Sequence, residues 1–282
     1  MYPDTLYKAQ SRNSLIVSIS PVTKCEIIEE IKRQEDKNGN CYFEVKGLKN
    51  SEHIMHCVLS DIDAAVTRET DILIFPELLG SESLNEKVLE KVKTGSRGEY
   101  PSFIILPSVW KQNKNVADIL LGSGLAVFKQ SKQIPMVFEG ACENIHPDNT
   151  LYVIHCPGIG RICVLICKDM LSQKYLDIVL NDIRASLIIV PSFSTGSFDF
   201  RNAMVRCQAF DCHVAWINSC AALHLDPQKE KNFKTVGMML HSGYESNRID
   251  ELIRFDHCKK RVGNICLFDS KVNFSLEGWG VE

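Results

Sequence analysis

The sequence predicts an α/β fold in which two mixed sheets pack face to face with helices outside, a four-layer α-β-β-α sandwich. Two observations lead there. Short continuous apolar runs, the pattern of strands buried on both faces, alternate with apolar residues at three- and four-residue steps, the pattern of helices. Two glycine-bearing breaks between apolar runs then require hairpins, which a purely parallel sheet does not accommodate.

Residues Ser14–Ser20 form the first predicted strand. Residues 25–50 carry a charged stretch with Gly and Asn (32–40) that predicts a surface excursion. From Ser51 the pattern turns helical: Ile54, Met55, Val58, Leu59, Ile62, Ala65 and Val66 share one face, with Asn50 or Ser51 as the cap. Strands follow at Ile72–Phe75 and Phe103–Leu106. Val116–Leu121 and Leu125–Lys129 flank Gly122-Ser-Gly124, the first hairpin, and Leu151–His155 and Ile162–Ile166 flank Pro157–Gly160, the second. Tyr175, Leu176, Val179, Leu180 and Ile183 predict a helical face, Leu187–Val190 a strand, Arg201–Cys212 a helix and Val214–Ile217 a last strong strand. After Ala222 the pattern weakens: 226–235 is polar and the tail beyond Gly243 takes no obvious element. The expected organisation is one domain over 1–282, with a charged insertion near 25–50 and an atypical segment at 223–282.

At 282 residues and 45% hydrophobic, the chain can bury one large core. A formal net charge of −3 argues against nucleic acid or an anionic membrane as the main partner. The sequence has neither an apolar run of ~18 residues nor a basic start followed by an apolar stretch, so no span and no secretory leader is expected. Several of the twelve cysteines fall inside apolar runs, which suits small buried hydrophobes in a reducing cytosol rather than disulfides. Cys156, Cys163 and Cys167 lack the Cys-x-x-Cys spacing or His pair of a zinc site, and no metal or organic cofactor is expected.

Three predicted strands stop on reactive side chains. Arg161–Ile166 ends on Cys167, Ile72–Phe75 on Glu77, and Phe128–Ser131 on Lys132. Open α/β sheets bind ligands at such strand ends. A free thiol titrates near ~8.5, so a nucleophilic cysteine needs a base or a cation close by. A carboxylate in a dry pocket can take the thiol proton, and an ammonium can hold a developing oxyanion. Acid, base and nucleophile together are what acyl transfer requires.

Phe75-Pro-Glu77, Lys132 and Ile166-Cys-Lys-Asp169 stand in the order of the Glu–Lys–Cys triad of the nitrilase superfamily, the carbon–nitrogen hydrolases, and resemble it. The flanks agree: Gly124 precedes the lysine by eight residues, and Leu187–Pro191 and Arg206–Asn218 resemble later family segments. Lys132–Gly140 resembles the amidase branch, where a second Glu follows the lysine closely. The resemblance covers roughly 14–222. It implies Cys167 as nucleophile, Glu77 as general base and acid, and Lys132 as oxyanion stabiliser, helped by the backbone N–H of Lys168. Glu139, in competition with Glu143, would position the lysine or the attacking water. It further implies a small-molecule amide or nitrile as substrate, an amide before a nitrile. A homodimer or larger assembly would form through the helix near the nucleophile and the C-terminal segment.

Some features depart from that pattern. Lys168 stands where the family usually has Tyr or Trp, so its side chain reads equally as a substrate contact or a solvated charge. Ser219–Ala222 lacks an expected glycine, and 223–282 fits poorly. These keep open a family-fold protein that has lost its chemistry and serves as a binding or assembly subunit. A Cys–His–Asp amidotransferase would want a glycine-flanked elbow, which Ile166-Cys-Lys lacks, and Ser192, Ser194 and Ser197 lack Gly-x-Ser-x-Gly. His155, His213 and His224 read as satisfied core or surface residues, and Asp169 as a residue that orients the turn. Specificity is expected from loops 108–115, 138–150 and 192–200.

Overall fold

The computed structural model describes residues 14–96, 98–156, 159–226, 233–242, 251–256 and 265–274. It is a mixed α/β fold with three sheets. The first sheet runs β17 (Phe268–Asn273), β1 (Ser14–Ile19), β4 (Ile72–Ile74), β5 (Phe103–Ile105), β7 (Lys114–Leu121) and β6 (Val109–Lys111), with β8 (Ala126–Ser131) also on β7. The second runs β11 (Val153–Cys156), β12 (Gly160–Val164), β13 (Leu187–Ser192), β14 (His213–Asn218), β15 (Thr235–His241) and β16 (Glu251–Asp256). Their centres, β1–β4–β5 and β12–β13–β14, are parallel. Both expected hairpins are present, as the antiparallel pairs β7–β8 and β11–β12.

Alternation along the first sheet decides what each face buries. Leu15, Val17, Ile19, Ile72, Ile74, Phe103 and Ile105 join one apolar cluster with Ile162, Val164, Ile189 and Ile217 of the second sheet. The intervening Leu73, Phe75, Ile104 and Leu106 join another with Ile54, Val58 and Ile62 of α1 (Ser51–Thr67) and Leu84, Val88 and Val92 of α2 (Glu82–Thr94). The two sheets touch closely: a Cβ on Gly237 of β15 would lie 2.3 Å from Ile19 Cδ1 of β1. Beyond the second sheet, α5 (Phe198–Gln208) lays Phe200 on Trp216, with ring centroids 5.2 Å apart.

Three elements differ from the sequence expectation. The charged stretch in 25–50 is an ordered hairpin, β2 (Ile28–Glu35) and β3 (Cys41–Leu48), which with β10 (Ala141–Glu143) and β9 (Val137–Phe138) makes a third, four-stranded sheet. Its alternation is hidden because β2 keeps only Ile28 and Ile31 half-buried and exposes the rest. Helix α2 was not expected; Ser81 caps it by accepting the Leu84 N–H, and Leu84, Val88 and Val92 recur every fourth residue. The atypical C-terminal segment supplies β15 and β16 to the second sheet and β17 to the edge of the first. The polar stretch 226–235 lies mostly outside the described residues. Asn50 is the cap position of α1, but in left-handed conformation (φ 57) and with its amide donating to the Glu26 carbonyl. Cys25 and Cys41 are exposed rather than core residues. Among the described residues no helix is long and apolar enough to cross a membrane.

Candidate active site

The ends of β4, β8 and β12 converge, and Glu77, Lys132 and Cys167 meet inside the protein at 1%, 3% and 3% exposure. Lys132 Nζ lies 2.8 Å from Glu77 Oε1 and 2.7 Å from Glu143 Oε2. The two carboxylates thus engage two of its three N–H donors. Asn115, on β7, donates to Glu77 Oε1 at 2.7 Å and to Glu143 Oε1 at 3.5 Å, while its own oxygen accepts from Ser108 at 2.6 Å. Glu77 Oε2 accepts the Phe193 N–H at 2.9 Å, which ties it to the loop after β13. Glu143 Oε2 accepts the Met136 N–H at 2.8 Å.

Burial raises the Glu77 pKa, with the Glu143 charge adding to it and the Lys132 ammonium opposing. Burial alone would lower Lys132, but the facing charges of Glu77 and Glu143 hold it well above the ordinary lysine value. Burial also raises the Cys167 thiol, Glu77 adds to this, and Lys132 and the Phe193 N–H work against it. The thiol is therefore held protonated, and the Glu77 carboxylate is among the charges that act on it. Cys163, four residues earlier in β12, is raised to about 12 by burial and has no such partner carboxylate.

Cys167 closes the apolar run after β12 and opens α3 (Lys168–Leu171). Its backbone has φ 49 and ψ −106, a conformation that costs an L residue about 1–3 kcal/mol. Its N–H donates to the Pro191 carbonyl at 2.8 Å, so β13 supports the turn. Lys168 is half-buried and begins α3, where its N–H has no carbonyl partner within the helix and remains a donor beside the thiol. Asp169 is buried and accepts three backbone N–H groups, from Gln133, Ile134 and Ile166. Burial raises it to about 7 against the pull of those bonds and of Lys132.

The structure does not bring Glu139 to the lysine. Glu139 and Gly140 are the two-residue turn between β9 and β10, both at positive φ (47 and 80), as a type I′ turn requires. The turn tip points the side chain outward, where it is 63% exposed and paired with Arg33. Glu143, two residues into the return strand, occupies the place beside Lys132. Asn115 was missed because an Asn in a strand is indistinguishable in sequence from an outward polar residue. Of the serines at and after the end of β13, Ser192 accepts the Trp216 indole N–H at 3.0 Å, and Asn218 holds Ser194 through bonds to its N–H and carbonyl.

A cavity of about 250 Å³ adjoins Phe193, walled also by Ile27, Ile28, Phe138, Glu139 and Leu225. The loops expected to set specificity contribute Phe138, Glu139 and Phe193. Strand β2 with the two residues before it and the 3-10 turn Cys220–Leu225 contribute the rest.

No protein-family model matches the chain, and no curated protein sequence does. Solved structures do. A glutamine-dependent NAD+ synthetase from Acinetobacter baumannii superposes with a TM-score of 0.61 at 12% identity, over 92% of this chain and 45% of the synthetase. The chain thus spans less than half the synthetase's length. An amidase from Nesterenkonia sp. superposes with a TM-score of 0.52 at 13% identity, over 73% of this chain and 76% of the amidase. A mutant of the Nesterenkonia sp. AN1 amidase that carries the acetamide moiety of fluoroacetamide on its active-site cysteine superposes with a TM-score of 0.53 at 11% identity, over 73% and 76%. Another mutant of that amidase, described as from the nitrilase superfamily, gives 0.52 at 13%, over the same shares. At these identities the likeness is one of fold.

Proposed function

We propose that this chain, which has the nitrilase-superfamily fold, is a thiol-dependent carbon–nitrogen hydrolase of the amidase type, built as a four-layer sandwich with Cys167 at its heart. The observation that carries the reading is the buried grouping itself. Two carboxylates and an ammonium sit at 3% exposure or less beside a strained thiol. Buried ion groups add little to stability, and removing one partner leaves a buried charge, so such a grouping points to chemistry.

In the proposed reaction Glu77 takes the Sγ proton as sulfur attacks the amide carbonyl. The oxyanion that forms is met by the third donor of Lys132 and by the Lys168 N–H. Collapse breaks the C–N bond, and Glu77 returns the proton to the leaving nitrogen, which departs as ammonia or an amine. Water then attacks the thioester while Glu77 takes its proton; the C–S bond breaks and the proton returns to the thiol. Glu143 and Asn115 hold Lys132 and Glu77 in register throughout, the role first given to Glu139. A primary amide suits this site, since the likeness extends to a glutamine-dependent enzyme and to amidases.

One observation favours the rival reading of a binding subunit: Cys167 is only 3% exposed, so an amide must displace side chains to reach it. Ammonia release from a panel of primary amides, ω-amides, ureido compounds and nitriles separates the two, with Cys167→Ala as control. Release by the wild type alone supports the hydrolase; a wild type that neither releases ammonia nor forms an acyl adduct on Cys167 supports the subunit.

Self-association through the helices next to the nucleophile is part of the same proposal. Phe198 and Val205, seven residues apart on α5, are 68% and 50% exposed, and Ile178 beside them is 38% exposed. The Asp177–Arg206 ion pair joins α4 (Gln173–Asp177) to α5 and puts both signs of charge beside the patch, which suits a self-complementary two-fold contact.

A further inference from the structure

Lys132 and Cys167 trail strands of different sheets, β8 and β12, which do not pair. Asp169 joins them. Its Oδ1 accepts the N–H of Gln133 at 2.9 Å and of Ile134 at 2.7 Å, the two residues after the lysine. Its Oδ2 accepts the N–H of Ile166 at 3.2 Å, the residue before the cysteine. The Asp169 N–H returns to the Ile166 carbonyl at 3.1 Å, so the two bonds between Ile166 and Asp169 close a ring around Cys167 and Lys168. Within that ring Cys167 keeps φ 49 and ψ −106, a backbone held only where the surroundings over-determine it.

From this geometry we infer that Asp169 is a positioning residue, a clasp that sets the register between Lys132 and Cys167 and holds the nucleophile's strained backbone. The inference rests on Cys167 being the reactive thiol, as proposed above, and not on the identity of the substrate. It depends on a carboxylate. Three N–H donors converge on two oxygens, whereas asparagine offers one oxygen and one NH2. In Asp169→Asn the NH2 faces an N–H, and either the tie to the lysine loop or the tie to the cysteine turn opens with hardly any change of volume.

The test is the rate at which iodoacetamide alkylates Cys167, read by peptide mass spectrometry in wild type, Asp169→Asn and Asp61→Asn. Asp61 is a matched control: it too is buried, on α1, accepting the Ser20 hydroxyl and the Cys266 N–H. The clasp predicts slowing of about tenfold or more in Asp169→Asn, and a kcat for amide hydrolysis about 100-fold lower with KM within about threefold, the size of effect a 1 Å misplacement produces. Asp61→Asn is expected to lower the unfolding midpoint without slowing Cys167. Wild-type reactivity in Asp169→Asn, or a slowing no greater than in Asp61→Asn at equal stability, overturns the clasp. Should the wild type hydrolyse no amide while its Cys167 still outpaces Cys163 and slows in Asp169→Asn, the clasp stands and the hydrolase reading falls. If wild-type Cys167 reacts no faster than Cys163, both fall.

Discussion

Glu143 and Glu139 are four residues apart and have opposite environments, which makes them a sharp pair for mutation. Glu143 bears directly on Lys132 at 2.7 Å, so Glu143→Gln should lower kcat about 100-fold, the scale of losing one preorganised electrostatic partner. Glu139→Gln leaves the surroundings of Lys132 untouched, removing an exposed pair with Arg33 and one carboxylate from the cavity wall, and should leave kcat within about twofold. Equal losses in the two variants would refute this assignment of the second carboxylate. The sequence made Glu77, Lys132 and Cys167 legible as candidates because each closes a predicted strand, where a reactive side chain stands out. It gave the wrong second glutamate because nearness along the chain to Lys132 says nothing about a two-residue turn; the one available sign was Gly140, directly after Glu139. Asn115 left no sign, since the carboxylates it binds, Glu77 and Glu143, lie 38 and 28 positions away.

At the scale of elements, β14, β15 and β17 meet at His213. Its Nδ1 accepts the Ser242 N–H at 3.1 Å, and its ring stands edge-on to Phe274 at 5.0 Å and to His241 at 6.3 Å. Burial, aided by His241, lowers its pKa to about 4. The unfolded chain binds this proton near 6.5 and the folded chain only near 4, so between those values the unfolded state holds more protons and stability falls as pH falls. The loss from this one group approaches about 3 kcal/mol at the acid end of the window, at 1.36 kcal/mol per pKa unit. Urea midpoints taken from pH 7.5 to 4.5 should therefore fall less steeply in His213→Gln than in the wild type; parallel curves would mean that this histidine is not held neutral. Strong periodicity made α1, β1, β4 and the two hairpins readable. The third sheet and β17 were not, because an edge or surface strand buries one side chain in two at most, as in Phe268–Asn273, where Ser270 and Val272 are buried and Asp269, Lys271 and Asn273 exposed.

The whole molecule is a mixed α/β fold with several sheets; runs buried on both faces announced the strands of the first two, and no run announced the third. Its exposed helical patch carries the assembly prediction. Light scattering should give a dimer for the wild type, and Phe198→Asp should give a monomer of unchanged circular dichroism; a monomeric wild type at tens of micromolar would remove the patch as an interface. The placement of β17 has a consequence for how the protein is made. Ser18 on β1 bonds Asp269 on β17 across 251 positions, so during synthesis β1 leaves the ribosome with one hydrogen-bonding edge bare and keeps it so until almost the whole described chain has followed. Bare edges template pairing with other chains. Nascent molecules should therefore crowd and cross-pair most readily when translation stalls late, and a helper that shields the β1 edge should raise the yield of soluble protein more than any change at the thiol.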